Sequence, residues 1–86
     1  MFDVSFSATA WEDYLYWQTQ DKKTLRRVNL LIQSIQREGF SSGLGKPEPL
    51  KNAPRMWSRR IDAKNRILYC ERKGRCRLSG VVARTL

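Results

Sequence analysis

Apolar residues alternate at the start of the chain. Phe2, Val4 and Phe6 fall on one side of a period-2 repeat, which predicts a half-buried strand over residues 2–6. Ser7 suits the N-cap of a helix. Trp11, Tyr14, Leu15 and Gln18 then recur at helical spacing, with Glu12 and Asp13 turned away, so the cluster WEDYLYW reads first as core packing. Asp21 is an N-cap for a second predicted helix, along which Leu25, Val28, Ile32 and Ile35 form an apolar stripe. Arg26, Arg27, Gln33 and Arg37 lie on its other faces. Gly39 stops this helix, and residues 41–49 (SSGLGKPEP) break regular structure with Gly and Pro. From Arg55 the period returns to two. Arg55–Ile61 places Trp57, Arg59 and Ile61 on one face and Met56, Ser58 and Arg60 on the other. Asp62–Asn65 reads as a turn, Arg66–Glu71 as the next strand, Lys73-Gly74 as a tight hairpin and Leu78–Val82 as the last strand. The predicted order β-α-α-β-β-β is a single α+β domain over residues 1–86, with two N-terminal helices packed on one face of an antiparallel sheet.

Composition adds direction. A hydrophobic fraction of 41% with 10% aromatics argues for a folded domain rather than disorder. No apolar run approaches the roughly 20 residues that span a bilayer, and no secretory signal pattern opens the chain, so a cytoplasmic protein is expected. The net charge of +9 is unevenly placed. Residues 1–40 carry five Lys/Arg against five Asp/Glu, whereas residues 41–86 carry twelve against three. A one-sided basic surface attracts a polyanion, and nucleic acid is the usual one; a solubility charge or a membrane-surface patch is the plainer alternative. Cys70 and Cys76, without His or further Cys, make no metal site and are expected as free thiols; no cofactor is implied. The sequence contains no histidine, which removes the commonest general acid–base group.

Three segments carry candidate chemistry: GKPEPLK at 45–51, WSRRI at 57–61 and NRILY at 65–69. Glu48 lies in a Pro-flanked, stiff stretch between Lys46 and Lys51. Arg59, Arg60 and Arg66 come from neighbouring predicted strands and are expected to converge. A carboxylate can take a proton from a substrate hydroxyl, and guanidinium groups grip phosphate bidentately and stabilise charge that develops on it. That is an inventory for metal-free RNA cleavage by the neighbouring 2′-OH. The plainer reading is a set of surface salt bridges on a basic sheet.

WEDYLYW with Gln18, DKK, GKPEPLK, WSRRI and RILY, in this order and spacing, resemble the Txe/YoeB toxins of type II toxin–antitoxin systems, in the RelE/ParE superfamily, over residues 1–69. The resemblance implies a RelE-like fold and a ribosome-dependent endoribonuclease that cuts mRNA in the ribosomal A site, leaving a 2′,3′-cyclic phosphate. It also implies a cognate YefM/Axe-like antitoxin and pairing as a homodimer. By the same resemblance Glu48 is the general base, Arg66 stabilises the pentacovalent phosphate, and Lys51 and Arg60 hold the RNA; Lys46 and Arg59 join them as candidate phosphate ligands. Asn65 stands where the family usually has His.

Residues 70–86 depart from the family. Relatives end in a Cys-Arg-X-His-Tyr-like run, whose His is the general acid and whose Tyr positions substrate; this chain has Val82-Ala83-Arg84-Thr85-Leu86. With synonymous codons chosen freely, the stretch from Cys70 read one nucleotide later can encode an alternating apolar strand and an Arg-Gly-His end. A frameshift just after Tyr69 is therefore expected in the gene, and a genuinely divergent terminus is the other reading. Residues 75–80 alternate poorly, and Gly80 weakens a strand, so a loose C-terminal edge and low activity are expected. Two other functions stay open: a non-cutting module that binds antitoxin or RNA, and a ParE-like relative acting on gyrase, against which GKPEPLK and WSRRI argue.

Overall fold

The computed structural model describes residues 2–83. In chain order the elements are β1 (Val4–Phe6), α1 (Ala8–Gln20), α2 (Lys22–Glu38), β2 (Glu48–Pro49), β3 (Met56–Arg60), β4 (Asn65–Arg72) and β5 (Arg75–Ala83). The α+β class and the two helices on a sheet are as the sequence predicts. The sheet itself runs β1-β5-β4-β3-β2. Neighbours from β2 to β5 are antiparallel, but β1 joins β5 in parallel, so the sheet is mixed rather than antiparallel throughout.

Both helices start where their caps are. Ser7 accepts from the Ala10 N–H at 3.0 Å, and Asp21 accepts from the Lys23 N–H at 3.0 Å. Gly39 ends α2 at φ 87°, a conformation that suits glycine. On α2 the buried row is Val28, Leu31, Ser34 and Ile35. The inner face of α1 is narrower than its aromatic content suggests. Ala10 is buried and Tyr14 and Trp17 pack on the core, whereas Trp11 is 47% and Leu15 42% exposed. The expectation that Trp11 and Leu15 are core residues is corrected by this rotation: the inward spacing runs Ala10, Tyr14, Trp17.

Asp13 is not turned away either. Strand β1 stops at Phe6, paired with Leu78, so beyond that point β5 loses a neighbour. Groups around α1 replace it. The Ser7 N–H donates to the Leu78 carbonyl at 2.9 Å, Asp13 accepts the Val81 N–H at 3.1 Å, and Trp17 Nε1 donates to the Val81 carbonyl at 2.6 Å.

Strand β5 pairs with β4 along its length, with β1 over Cys76–Leu78 and with groups around α1 at Val81, so the expected loose C-terminal edge is corrected as well. A register shift opposite Leu68/Tyr69 takes Ser79 out of the alternation. Cys76, Leu78 and Val81 then all face the helices and are fully buried. Across the β4–β5 hairpin, Arg72 pairs with Arg75. Lys73 (φ 50°) and Gly74 (φ 74°) both take positive φ, the signature of a two-residue type I′ turn.

Candidate functional site

One face of the sheet carries the helices and the other is open. Register decides which side chains share a face. Glu48 pairs with Ser58, Ser58 with Leu68, and Arg60 with Arg66. Because side chains alternate, Glu48, Arg60 and Arg66 all stand on the open face, opposite the buried Ile67 and Tyr69. Arg60 is exposed and Arg66 half-buried. Two guanidinium groups directly opposite each other on adjacent strands repel, and an anion laid across them relieves that cost.

Glu48 reaches this face by a constrained path. The backbone turns at Gly45 (φ 83°) and Lys46 (φ 51°), and the Arg60 N–H donates to the Gly45 carbonyl at 2.6 Å. Strand β2 is two residues long and lies at the sheet edge. Pro47 and Pro49 are tolerated there, because an edge strand can spare N–H groups. These prolines also hide the strand from sequence reading, which sees only a loop over 41–49. Lys46 and Lys51 are exposed on either side of Glu48.

Arg59 does not belong to this group, and its expected role as a phosphate ligand is corrected. It points to the helix side and is 0% exposed. Nε donates to Tyr69 Oη at 3.0 Å. Nη1 donates to Ser34 Oγ and to the Leu44 carbonyl, each at 3.0 Å. Nη2 donates to the Gly39 and Ser42 carbonyls, each at 2.6 Å. A guanidinium has five N–H donors, and all are spent inside the protein. Tyr69 in turn donates to the Phe40 carbonyl at 2.6 Å, and burial pushes its phenol pKa up. Arg59 therefore fastens the 39–44 loop beneath the sheet, and that loop leads to Lys46 and Glu48.

The approach to Arg66 is fixed by the β3–β4 turn. Asp62 accepts the Lys64 N–H at 2.8 Å and the Asn65 N–H at 2.7 Å, and the Asn65 side-chain amide at 2.9 and 3.0 Å. Burial opposes ionisation of Asp62, but these bonds outweigh it and hold the carboxyl below its usual value. Asn65, at the position where the resemblance expects His, thus has a turn-closing role here.

Arg84, Thr85 and Leu86, the positions at which the resemblance expects an acid and an aromatic, lie outside the described residues. Cys70 and Cys76 are free thiols, as expected. The open face extends past Cys70 to Arg72, Arg75 and Arg77, which sequence reading did not single out. Their signal was available in the hairpin register, once Lys73-Gly74 is taken as the two-residue turn.

The family of YoeB-like toxins of bacterial type II toxin–antitoxin systems matches residues 6–82. Toxin YoeB of Synechocystis sp. is 51% identical over 67 residues, 77% of each chain. Among solved structures, the YoeB dimer from Staphylococcus aureus superposes with a TM-score of 0.87 at 35% identity, covering 98% of both chains. The heterotetrameric YoeB–YefM toxin–antitoxin complex from the same organism gives 0.85 at 36% identity, covering 99% of both chains.

Proposed function

The chain belongs to the YoeB-like toxins of bacterial type II toxin–antitoxin systems, and from that premise we propose that it is a ribosome-dependent endoribonuclease that cuts mRNA in the A site and so stops translation. The reading rests on one observation: a carboxylate and two arginines, Glu48, Arg60 and Arg66, share the open face of the sheet. Glu48 takes the proton of a ribose 2′-OH. The freed oxygen attacks the adjacent phosphorus, the bond to the 5′-oxygen breaks, and a 2′,3′-cyclic phosphate and a 5′-hydroxyl result. Arg66, with Arg60 opposite it, donates to the non-bridging oxygens as their charge grows. Lys46 and Lys51 hold the flanking phosphates.

The departing 5′-oxygen needs a proton, and the sequence offers no histidine to give one. Water then serves, and cleavage runs on the order of 100- to 10,000-fold slower than with a positioned acid. This favours a second reading, in which the chain binds antitoxin and RNA without cutting. A YefM-type antitoxin and a second copy of the chain are the protein partners. Mapping mRNA 5′ ends after expression decides between the two. Cuts at A-site codons that vanish in Glu48→Gln support the enzyme; an unchanged 5′-end map supports the binding module. Sequencing the gene around the Tyr69 codon tests the frameshift, which fails if the next frame does not encode a His-Tyr end.

A further inference from the structure

The open face has a second concentration of charge, at the far end of β4. Among the described residues, Ser5, Arg55, Arg72, Lys73, Arg75 and Arg77 line a shallow trough there, and no carboxylate is among them. Arg72 lies six residues along β4 from Arg66, or ~20 Å at the usual strand rise. The two centres are therefore separate positions on one surface.

The trough is built from sheet register. Ser5 pairs with Arg77, Arg77 with Cys70, and Arg75 with Arg72. Arg72 and Arg75 thus repeat the like-charge opposition of Arg60 and Arg66. Arg55 is brought alongside by its carbonyl, which accepts the Glu71 N–H at 3.0 Å. Five cations crowd this end of the sheet, and the fold bears their mutual repulsion. A bound polyanion offsets it.

We propose that this trough is a second phosphate-binding site, which holds the backbone of a single RNA strand laid along the open face away from Glu48. It rests on the proposed nuclease reading only for the choice of polyanion. The lining is cations and one hydroxyl, with no apolar side chain to enter a bilayer, so RNA is favoured over a membrane surface. Four of the six residues, Arg72, Lys73, Arg75 and Arg77, come from the β4–β5 hairpin.

The test is binding of a labelled single-stranded 2′-O-methyl RNA oligonucleotide, which cannot be cleaved, followed by anisotropy over a salt series. For single strands the slope of log K against log salt is about 0.7 per phosphate contact. Arg75→Gln/Arg77→Gln is expected to flatten the slope by about 1.4. Lys73→Asn is expected to flatten it by about 0.7. Asn favours the positive φ of that turn position, so this variant removes charge without loosening the hairpin. Lys22→Gln, at the start of α2, is the charge-matched control and leaves the slope unchanged. An unaltered slope in both trough variants overturns the proposal. So does capture of the protein by anionic vesicles that matches RNA binding and is lost in the same variants. Failure of the nuclease reading is seen separately, as an mRNA 5′-end map that expression leaves unchanged, because the oligonucleotide assay needs no cleavage.

Discussion

Replacing Arg59 and Arg60 one at a time separates two neighbours with opposite duties. Arg59→Met leaves a phenol, a serine and three carbonyls without their donor in a buried place, and is expected to cost about 3 kcal/mol or more. In a domain of this size that lowers Tm by at least ~12 °C. Arg60→Gln lies on the exposed face and is expected to shift stability by no more than about 0.5 kcal/mol, while weakening RNA binding. Thermal melts beside binding curves check both. The distinction was legible in the sequence: the alternation that pairs Arg59 with Trp57 and Ile61 already sends it to the core side, away from Arg60. What hid it was the habit of reading an arginine beside other arginines as a ligand. The cysteines divide in the same way. Burial pushes the Cys76 thiol up to about 12, while Cys70 is half-buried. Iodoacetamide at mildly alkaline pH is expected to label Cys70 in the native protein and Cys76 only after unfolding, as peptide mass mapping would show.

Among elements, the loops are more sharply specified than the helices. At Gly43 (φ 110°) an added Cβ would press on Ser34 Oγ and stand 2.9 Å from Arg59 Nη1, both locked in the network. At Gly74 (φ 74°) it would meet nothing within 4 Å. Gly43→Ala is therefore expected to destabilise far more than Gly74→Ala, whose cost is the left-handed backbone alone, about 1 kcal/mol. Denaturant midpoints give the comparison. The β3–β4 turn has a pH signature. Because the folded pKa of Asp62 is depressed, its contribution is fully present above the ordinary value of 3.8 and is lost as pH falls below it. The stability gap between wild type and Asp62→Ala should thus hold at neutral pH and close in acid. Sequence periodicity found α1, α2, β3 and β4 with their faces, apart from the rotation of α1. It missed β2, which is too short and proline-rich to alternate, and it misjudged β5, where the bulge at Ser79 resets the period between Leu78 and Val81.

At the scale of the whole molecule, charge and topology act together. The balanced half supplies both helices. The half that holds the whole +9 excess supplies β2 to β5 and so furnishes the open basic face. Affinity for RNA should therefore fall steeply with salt, in contrast to stability, which rests on apolar burial. The nucleic-acid surface was foreseeable from charge placement, whereas the partnership of β1 with β5 was not, because no local pattern encodes a parallel pairing between residues 4–6 and 76–78. That pairing has a consequence for the order in which the protein is made. Strand β5, which lies between β1 and β4, is the last of the sheet to be synthesised, and β1 has no strand to pair with until it arrives. Contacts so distant along the chain also slow folding. A growing chain halted at Tyr69 should stay protease-sensitive and inert, so a folded toxin is expected only once β5 has been added.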